Sequence, residues 1–250
     1  MVKPVLLIRS DNNDVDEAAL TKLGIPSLID PYIEIKVAND PSEGERLLSL
    51  LESSDYPLWL LATSVNALKF WSQIVGEDRL RSAIATRSDL RFGAVGETTA
   101  DALRKFGAGE VIIPNEATAK SLADALVDTS PIPIGHALVP GGNLAMKSLP
   151  STLISGGWLV STAVVYTTSP VGEEPKSARL VRDQEVSAIL FRSPSAVRAL
   201  THYVPNPSIP LICAGATTAQ ALEDQGLKAT AISPMPSAEV VASTIYSLLS

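Results

Sequence analysis

The sequence predicts an α/β fold of two related, flavodoxin-like parallel-sheet lobes, and three observations support this. Short apolar runs alternate with longer stretches of helical periodicity, a pattern typical of βαβ units and parallel sheets. A seven-position motif occurs twice at identical spacing, which indicates an internal duplication. The chain has 250 residues, which suits one large α/β domain or two smaller ones at about 150 residues per domain.

The strands and helices follow from the spacing of apolar residues along the chain. Several of the predicted helices end at a glycine, such as Gly107 or Gly226, which is a common helix stop. The predicted strands are 5–8, 25–29, 58–62, 92–95, 111–113, 137–139, 188–191, 211–214 and 229–232. The predicted helices are 14–23, 66–75, 98–107, 118–128, 144–156, 194–203, 217–225 and 237–249.

The internal repeat is the most informative feature of the sequence. Its first copy is Gly96, Thr98, Thr99, Ala100, Ala102, Leu103 and Gly107, and its second copy is Gly215, Thr217, Thr218, Ala219, Ala221, Leu222 and Gly226. An apolar strand precedes each copy, and another strand follows it and ends at Pro114 or Pro234. A looser match relates residues 61–67 to residues 190–196. The chain therefore holds two related α/β lobes.

The two copies are not equally complete, and this predicts how the lobes are assembled. The second copy has no opening strand and helix of its own, but the segment 4–29 can supply them. We therefore expect residues 1–33 and 170–250 to form one discontinuous lobe, with residues 38–160 inserted as the other. The alternating segments 30–37 and 160–169 are the candidates for a two-strand ladder between the lobes, with a substrate cleft between them.

Composition excludes several classes of function. Twenty basic against 27 acidic residues leave a net charge of −7, without a Lys/Arg cluster, which argues against nucleic acid. No run approaches 18 apolar residues and no signal peptide is recognisable, so we expect no membrane association. Cys213 is the single cysteine; it forbids an intrachain disulfide, fits a reducing compartment and is too little for structural zinc. We expect a cytoplasmic protein without a metal.

The sequence lacks the residues that serine hydrolysis, calcium binding and nucleotide binding require. Only His136 and His202 exist, and no Gly-x-Ser-x-Gly elbow accompanies them, so serine hydrolysis is a poor interpretation. The acidic run Asp11, Asp14 and Asp16 lacks the spacing and glycine of a calcium loop, and instead indicates a charged helix start. A nucleotide-binding regulator is a weaker alternative, because neither Gly-x-Thr-Thr-Ala copy has the further glycines of a dinucleotide motif, and a Walker sequence is missing.

The carboxyl ends of the predicted strands carry the candidate site. Ligands of open α/β sheets lie there, and the helix starts expose amides that favour anions. The repeated helix starts therefore suit a ligand with several carboxylates, although each can also be simple N-capping. The segment 140–144 adds an amide-rich loop or a plain turn. The candidate substrate-binding residues are Thr63, Ser64, Asn66, Gly96, Thr98, Thr99, Gly142, Asn143, Ser193, Ser195, Gly215, Thr217 and Thr218.

Tyr166 is the candidate catalytic residue. It lies in an alternating segment, where the phenol can point into the cleft as a proton donor or the ring can be half-buried in a strand. The tryptophans Trp59, Trp71 and Trp158 are interpreted as core residues.

These segments together resemble the uroporphyrinogen-III synthase family over nearly the whole chain. The matching segments are 5–9, 31–35, 63–67, 94–100, 142–144, 165–166, 191–196 and 215–219. The resemblance implies two lobes joined by a β-ladder and a ring-closing hydro-lyase without a cofactor. The implied substrate is hydroxymethylbilane, a linear tetrapyrrole rich in carboxylates. The implied product is uroporphyrinogen III, a precursor of haem, sirohaem and chlorophyll, formed with loss of water and inversion of the last pyrrole ring.

The resemblance also assigns roles and leaves one alternative. Tyr166 matches the family tyrosine that assists departure of the hydroxyl, and the helix-start hydroxyls and amides hold the carboxylates. We expect a monomer that receives its substrate from the preceding enzyme of the pathway. The alternative is a non-catalytic two-lobed module that binds a tetrapyrrole or another polycarboxylate without turning it over.

Overall fold

The structure, a computed structural model, describes residues 2–129, 135–145 and 147–250. The chain divides into two compact units. Unit one consists of Met1–Ile35 and Thr168–Ser250, and unit two consists of Lys36–Thr167. Unit one is therefore built from both ends of the chain, and unit two is the segment inserted between them.

Unit one is a parallel sheet with helices packed on it. Its strands are β1 (Val5–Leu7), β2 (Ser27–Ile29), β9 (Ala188–Phe191), β10 (Leu211–Cys213) and β11 (Ala231–Ile232), in the order β11-β10-β9-β1-β2. Its helices are α1 (Asn13–Lys22), α8 (Ser177–Arg182), α9 (Pro194–Tyr203), α10 (Ala216–Glu223) and α11 (Ala238–Leu249). Each neighbouring strand pair is parallel. This strand order is the flavodoxin-like doubly wound order.

Unit two has the same architecture with one further strand and one further helix among the described elements. Its strands are β3 (Ile33–Val37), β4 (Leu58–Ala62), β5 (Arg91–Ala94), β6 (Val111–Ile112), β7 (His136–Gly142) and β8 (Leu159–Pro170), in the order β3-β8-β7-β4-β5-β6. Its helices are α2 (Ser42–Ser53), α3 (Val65–Val75), α4 (Glu77–Ala85), α5 (Glu97–Lys105), α6 (Ala119–Thr129) and α7 (Ser148–Ser155). The strands β3 and β8 begin in one unit and end in the other.

The two units are related by a circular permutation of strand order. The sheet segment β8-β7-β4-β5-β6 matches β2-β1-β9-β10-β11 strand for strand. The repeated motif lies on α5 in unit two and on α10 in unit one. The strand that opens unit one, β1, corresponds to β7, which comes fourth of the matched strands in unit two. Insertion of one copy into the other explains this order, because the chain enters unit two at a different point of the same fold.

Strands β3 and β8 form an antiparallel pair. The Ala38 N–H donates to Val165 O (3.0 Å), and the Val171 N–H donates to Tyr32 O (3.1 Å). The partner number falls as the residue number rises, so the strands run in opposite directions. The predicted ladder segments 30–37 and 160–169 thus overlap an antiparallel strand pair.

Alternation along the strands buries both faces of each sheet. In unit one, Leu6 and Ile8 belong to one apolar cluster, while Val5 and Leu7 belong to another. A doubly covered parallel sheet needs such near-continuous apolar strands. The three tryptophans are core residues as predicted, with exposures of 3%, 0% and 4% for Trp59, Trp71 and Trp158. Cys213 is also buried, and burial raises the pKa of its thiol to about 11.

Three helices, α2, α4 and α8, are absent from the sequence prediction. In α2 the buried leucines are Leu47, Leu48 and Leu51, which follow helical spacing, so a signal was present. Gly44 obscures it, because glycine weakens a helix prediction. The Gly44 carbonyl accepts a hydrogen bond from Trp71 Nε1 (2.9 Å). The predicted helix 144–156 begins only at Ser148, and Met146 lies outside the described residues.

Candidate functional site

The two units share a serine-capped helix start, which follows β4 in unit two and β9 in unit one. Ser64 Oγ accepts from the Ala67 N–H (3.2 Å) at the start of α3, and Ser193 Oγ accepts from the Ala196 N–H (3.3 Å) at the start of α9. Pro194 occupies the first turn of α9, as the sequence predicts. Both serines lie at the carboxyl end of the central part of their sheet.

The neighbouring predicted residues are partly accessible. Thr63 and Asn66 beside Ser64, and Ser195 beside Ser193, are each half-buried. The Ser193 and Ser195 hydroxyl oxygens lie 2.9 Å apart and are hydrogen-bonded, and either group can be the donor. These side chains therefore place polar atoms around the free amides of the two helix starts, where a carboxylate binds favourably.

The threonine pairs of the repeat divide into an exposed and a buried member. Thr98 and Thr217 are exposed, whereas Thr99 and Thr218 are only 6% and 5% exposed. The reason is helical geometry, because the third residue of each helix faces the sheet. Thr99 and Thr218 therefore serve packing in this structure, and the exposed member of each pair is the one that can contact a ligand.

Gly96 and Gly215 begin the helices α5 and α10 with extended backbone. Neither helix start has a side-chain cap. The Thr99 N–H donates to Gly96 O (3.1 Å), and the Thr218 N–H donates to Gly215 O (3.2 Å). The amides before each of these threonines have no acceptor within the helix, so they are directed toward the end of the sheet.

Tyr166 lies against the serine-capped helix start of unit two. Its hydroxyl oxygen is 3.3 Å from Ser64 Oγ, and either group can donate the hydrogen. Its ring packs on Phe70 of α3, with 5.5 Å between the ring centroids. The side chain is half-buried. Packing on Phe70 holds the ring in place, and the hydroxyl lies at the amide-rich end of the sheet.

Gly142 and Asn143 also meet Tyr166, and here the structure corrects the sequence interpretation. The segment at 140–142 belongs to β7 rather than to a loop or turn. Strand β7 continues to Gly142 because β8 pairs with it as far as that residue, with an irregular register between Gly141 and Gly142. A Cβ on Gly142 would lie 2.5 Å from the Tyr166 ring. The Asn143 N–H donates to Tyr166 O (3.1 Å).

The structure thus brings the predicted residues of each unit to one edge of its sheet. In unit two, the Val95 N–H donates to Ala62 O (3.3 Å), which places the Gly96 helix start beside the Ser64 helix start. In unit one, the Ala214 N–H donates to Phe191 O (2.9 Å), which places the Gly215 helix start beside the Ser193 helix start. Each unit therefore has two adjacent, amide-rich helix starts.

Sequence reasoning missed one charged cluster in unit one. Asp16 is buried rather than on a solvated helix face, and it pairs with Arg192 and Arg9. The signal was weak in sequence, because Asp16 and Arg192 are 176 positions apart. Asp14 remains exposed in the first turn of α1, as expected for a charged helix start.

His136 lies apart from the helix starts, at the opposite end of β7. Its Nε2 is 2.9 Å from Ser161 Oγ. Burial, with a contribution from the positive charge of Arg46, lowers the pKa of His136. His202 is exposed at the end of α9 and stacks edge-on against Tyr203. Both histidines thus lie at the ends of their elements that are remote from the helix starts.

The lowered pKa of His136 predicts a pH effect on stability. Folding favours the neutral imidazole, so this contribution is present above the unfolded pKa of about 6.5 and is lost as pH falls through the lower folded value. Between about pH 7.5 and 5.5, we expect the melting temperature of the natural protein to fall more than that of His136→Gln. Calorimetry at matched ionic strength measures this, and parallel curves would contradict it.

The serine cap of unit one gives a second stability prediction. Ser193→Ala removes the acceptor of the Ala196 N–H and is expected to lower the free energy of unfolding by about 1 kcal/mol. Urea denaturation measures the loss. Ser243→Ala is the matched control, because the Ser243 hydroxyl only donates to Glu239 O within the exposed face of α11. Equal losses of unfolding free energy in the two variants would show that Ser193 does not stabilise the protein as a helix cap.

Metal clusters and membrane-spanning helices are both absent from the part of the chain that the structure describes. Within 2–129, 135–145 and 147–250, no group of three or more His, Cys, Asp or Glu side chains is placed to hold a metal ion. Over the same residues, none of the helices has the length and apolar character needed to cross a membrane.

Comparison with known proteins identifies the family. A mutant uroporphyrinogen III synthase from the bacterium Thermus thermophilus shares the fold, with a TM-score of 0.66, 19% identity, and 98% of this chain and 97% of that chain covered. Uroporphyrinogen-III synthetase from Helicobacter pylori gives a TM-score of 0.64 and 18% identity, with 99% of this chain and 100% of that chain covered.

The family model described as uroporphyrinogen-III synthase HemD matches residues 14–242 of the 250. That span includes every residue of the candidate site in both units. The chain belongs to the uroporphyrinogen-III synthase family, whose members are ring-closing lyases of tetrapyrrole biosynthesis.

Proposed function

We propose that this chain closes hydroxymethylbilane to uroporphyrinogen III with the residues that line the carboxyl ends of its two sheets. The observation that carries the proposal is the contact of Tyr166 with the Ser64 helix start, 3.3 Å between hydroxyl oxygens. It places a phenol, the most acidic hydroxyl of the cluster, beside amides suited to an anionic substrate.

The substrate-binding part of the proposal rests on the four helix starts. Ser64 and Gly96 begin two adjacent helices in unit two, and Ser193 and Gly215 begin the matching helices in unit one. Each start presents amides and a partial positive charge, worth about 0.3–1 kcal/mol per exposed anion. One substrate with several carboxylates can occupy several starts, so we propose that both units bind the same molecule.

The exposed threonines and the partly accessible side chains complete this set. We propose that Thr98 and Thr217, together with Thr63, Asn66 and Ser195, donate hydrogen bonds to substrate carboxylates. The net charge of −7 does not oppose this binding, because the local amides rather than the total charge face the ligand.

The catalytic part of the proposal assigns one proton transfer. Tyr166 donates its proton to the hydroxyl of the bilane, the carbon–oxygen bond breaks, and water leaves. The resulting carbocation is stabilised by the electron-rich pyrrole. The last ring attacks it through its substituted α-carbon to give a spiro intermediate, and migration of the bond to the other α-carbon inverts that ring. Loss of one proton, which returns to the Tyr166 oxygen, then completes the macrocycle. Because the pyrrole supplies most of the driving force, the protein's main contribution is to hold the reacting carbons in one arrangement.

We also propose that the protein works as a monomer in the cytoplasm and takes its substrate from the preceding enzyme. The buried, unpaired Cys213 fits a reducing compartment. Direct transfer suits a substrate that closes spontaneously in water. Light scattering at micromolar concentration tests the monomer, and a stable dimer would contradict it.

The test of the function is the isomer of the product. The purified protein is incubated with hydroxymethylbilane, and the products are oxidised and separated into type I and type III uroporphyrins. We expect mainly type III. Heat-denatured protein is the control and gives type I, which forms without catalysis. Type I alone from the folded protein would contradict the proposal, and tight binding without type III would favour a non-catalytic module.

A further inference from the structure

Two arginines follow the adjacent strands β1 and β9 of unit one and lie at the same level along the sheet. In the register of β1 and β9, Leu7 pairs with Leu190. Arg9 and Arg192 each follow two residues later, so strand alternation directs both side chains to the face on which Leu7 and Leu190 lie. Helix α1 contributes Ala19 and Leu20 to that same face.

Asp16 of α1 lies between these two arginines. Arg192 Nε donates to Asp16 Oδ2 (3.0 Å), and Arg192 Nη2 donates to Asp16 Oδ1, so the pair is bidentate. Arg9 Nη1 is 3.9 Å from Asp16 Oδ2. The exposed fractions of the side chains are 3% for Asp16, 10% for Arg192 and 31% for Arg9. Both oxygens of the buried carboxylate are thus occupied by Arg192, and Arg9 is the accessible member.

Further contacts fix this cluster from two sides. Arg192 Nη1 donates to Pro236 O, in the segment before α11. Asn13 Nδ2 donates to Arg9 O (2.9 Å), which ties the backbone of Arg9 to the first turn of α1. The Arg192 guanidinium is therefore held by Asp16 and Pro236, and the backbone of Arg9 is held by Asn13, which reduces the entropy that binding must overcome.

The cluster carries an excess of positive charge beside a proposed substrate-binding helix start. Two guanidinium groups face one carboxylate, and Arg192 directly precedes Ser193, which begins α9. Asp11 and Asp14 lie nearby in sequence but are exposed, so solvent screens their charge. Helices α1 and α9 cover opposite faces of the sheet, so their starts flank the crevice between β1 and β9, where ligands of doubly wound sheets bind. A carboxylate in that crevice would meet the partial positive charge of α9 from one side and the accessible guanidinium of Arg9 from the other.

We propose that Arg9 binds a carboxylate of the substrate in unit one and that Asp16 is the positioning residue that holds Arg9 and Arg192 in place for it. This inference rests on the proposed function, and it adds a charged ligand to a site otherwise made of amides and hydroxyls. The buried Asp16 acts through Arg9 and does not touch the substrate.

The test is a double-mutant cycle read as KM and kcat for hydroxymethylbilane. Arg9→Ala is expected to raise KM by about tenfold or more, because a hydrogen bond to a charged group is lost, while kcat changes by less than about threefold. Asp16→Asn is expected to raise KM similarly. In the Arg9→Ala background, Asp16→Asn is expected to change KM by less than about twofold, because the group that it positions is already absent.

Two further variants separate positioning from general destabilisation. Arg9→Lys is expected to restore part of the KM, because lysine keeps the charge without the planar fork. Arg179→Ala is the matched control; Arg179 is an arginine of unit one with an 84% exposed side chain, and its removal is expected to leave KM unchanged. Circular dichroism melting records folding of every variant. If Asp16→Asn does not fold, Asp16→Glu, which keeps the charge, replaces it in the cycle.

The outcomes distinguish this inference from the proposed function. An unchanged KM in Arg9→Ala would overturn it, as would an equal effect of the Asp16 substitution with and without Arg9, since Asp16 would then act on stability alone. Failure of the natural protein to form type III product would instead contradict the proposed function. Type III formation with unchanged KM in Arg9→Ala leaves that function intact and refutes only the carboxylate contact.

Discussion

Gly142→Ala is expected to lower kcat/KM by about 100-fold, the scale of loss that a displacement of about 1 Å at a catalytic group produces. The added Cβ would lie 2.5 Å from Cε2 and Cζ of Tyr166 and 3.0 Å from its hydroxyl oxygen. The two 2.5 Å contacts are shorter than any that real Cβ atoms make, so the ring must shift, and the shift disturbs its 3.3 Å contact with Ser64. The overpacked strand is also expected to lose about 1–3 kcal/mol of stability. Steady-state kinetics and urea denaturation measure the two effects.

Gly141→Ala is the matched control, one residue earlier in the same strand. Its Cβ would meet only the Ala145 Cβ at 3.3 Å, a contact that a shift of a few tenths of an ångström relieves. We expect a small loss of stability and activity within about threefold of the natural protein. Equal activity loss in the two variants would show that any side chain in this strand is harmful, and that the contact with Tyr166 is not the cause.

Tyr166→Phe is expected to lower kcat by about 100-fold or less, the contribution of one positioned proton donor. The ring still packs on Phe70 and over Gly142, so KM and the melting temperature are expected to stay close to those of the natural protein. The lost group is the hydroxyl that lies 3.3 Å from Ser64 Oγ. Single-turnover kinetics with product isomer analysis measures the loss and shows whether the residual product is still type III.

Tyr56→Phe is the control for this substitution, because Tyr56 belongs to the same unit and is 64% exposed. Its activity is expected to equal that of the natural protein. Full activity of Tyr166→Phe would show that the Tyr166 hydroxyl takes no part in the reaction. If Tyr166→Phe also lowered the melting temperature markedly, lost stability would explain the lost activity, and the hydroxyl would have a structural role.

Local features of this site could be predicted from sequence because their causes are local. Ser64 and Ser193 cap the helices that follow them, and Pro194 sits in the first helical turn, where its missing N–H costs nothing. The duplicated Gly-x-Thr-Thr-Ala motif located the other helix starts for the same reason. Buried strands such as β4 and β9 have bounds identical to the predicted ones, since each apolar run is bounded at both ends by a proline or a polar residue.

Features that depend on distant partners were not predictable in this way. Gly142 lies in a strand instead of a turn because β8 pairs beside it and the Tyr166 ring occupies the space of its missing side chain. Thr99 and Thr218 are buried because the third residue of each helix faces its sheet. The Asp16–Arg192 pair joins positions 176 apart, a contact that no local spacing contains.

The central claim is that the repeated helix starts of both units bind one substrate. A crystal structure of the complete chain with bound uroporphyrinogen III tests it most directly. The account predicts product carboxylates within hydrogen-bond distance of the amides that begin α3 or α5 in unit two and of those that begin α9 or α10 in unit one. A product bound to the helix starts of a single unit, or away from all four, would contradict it.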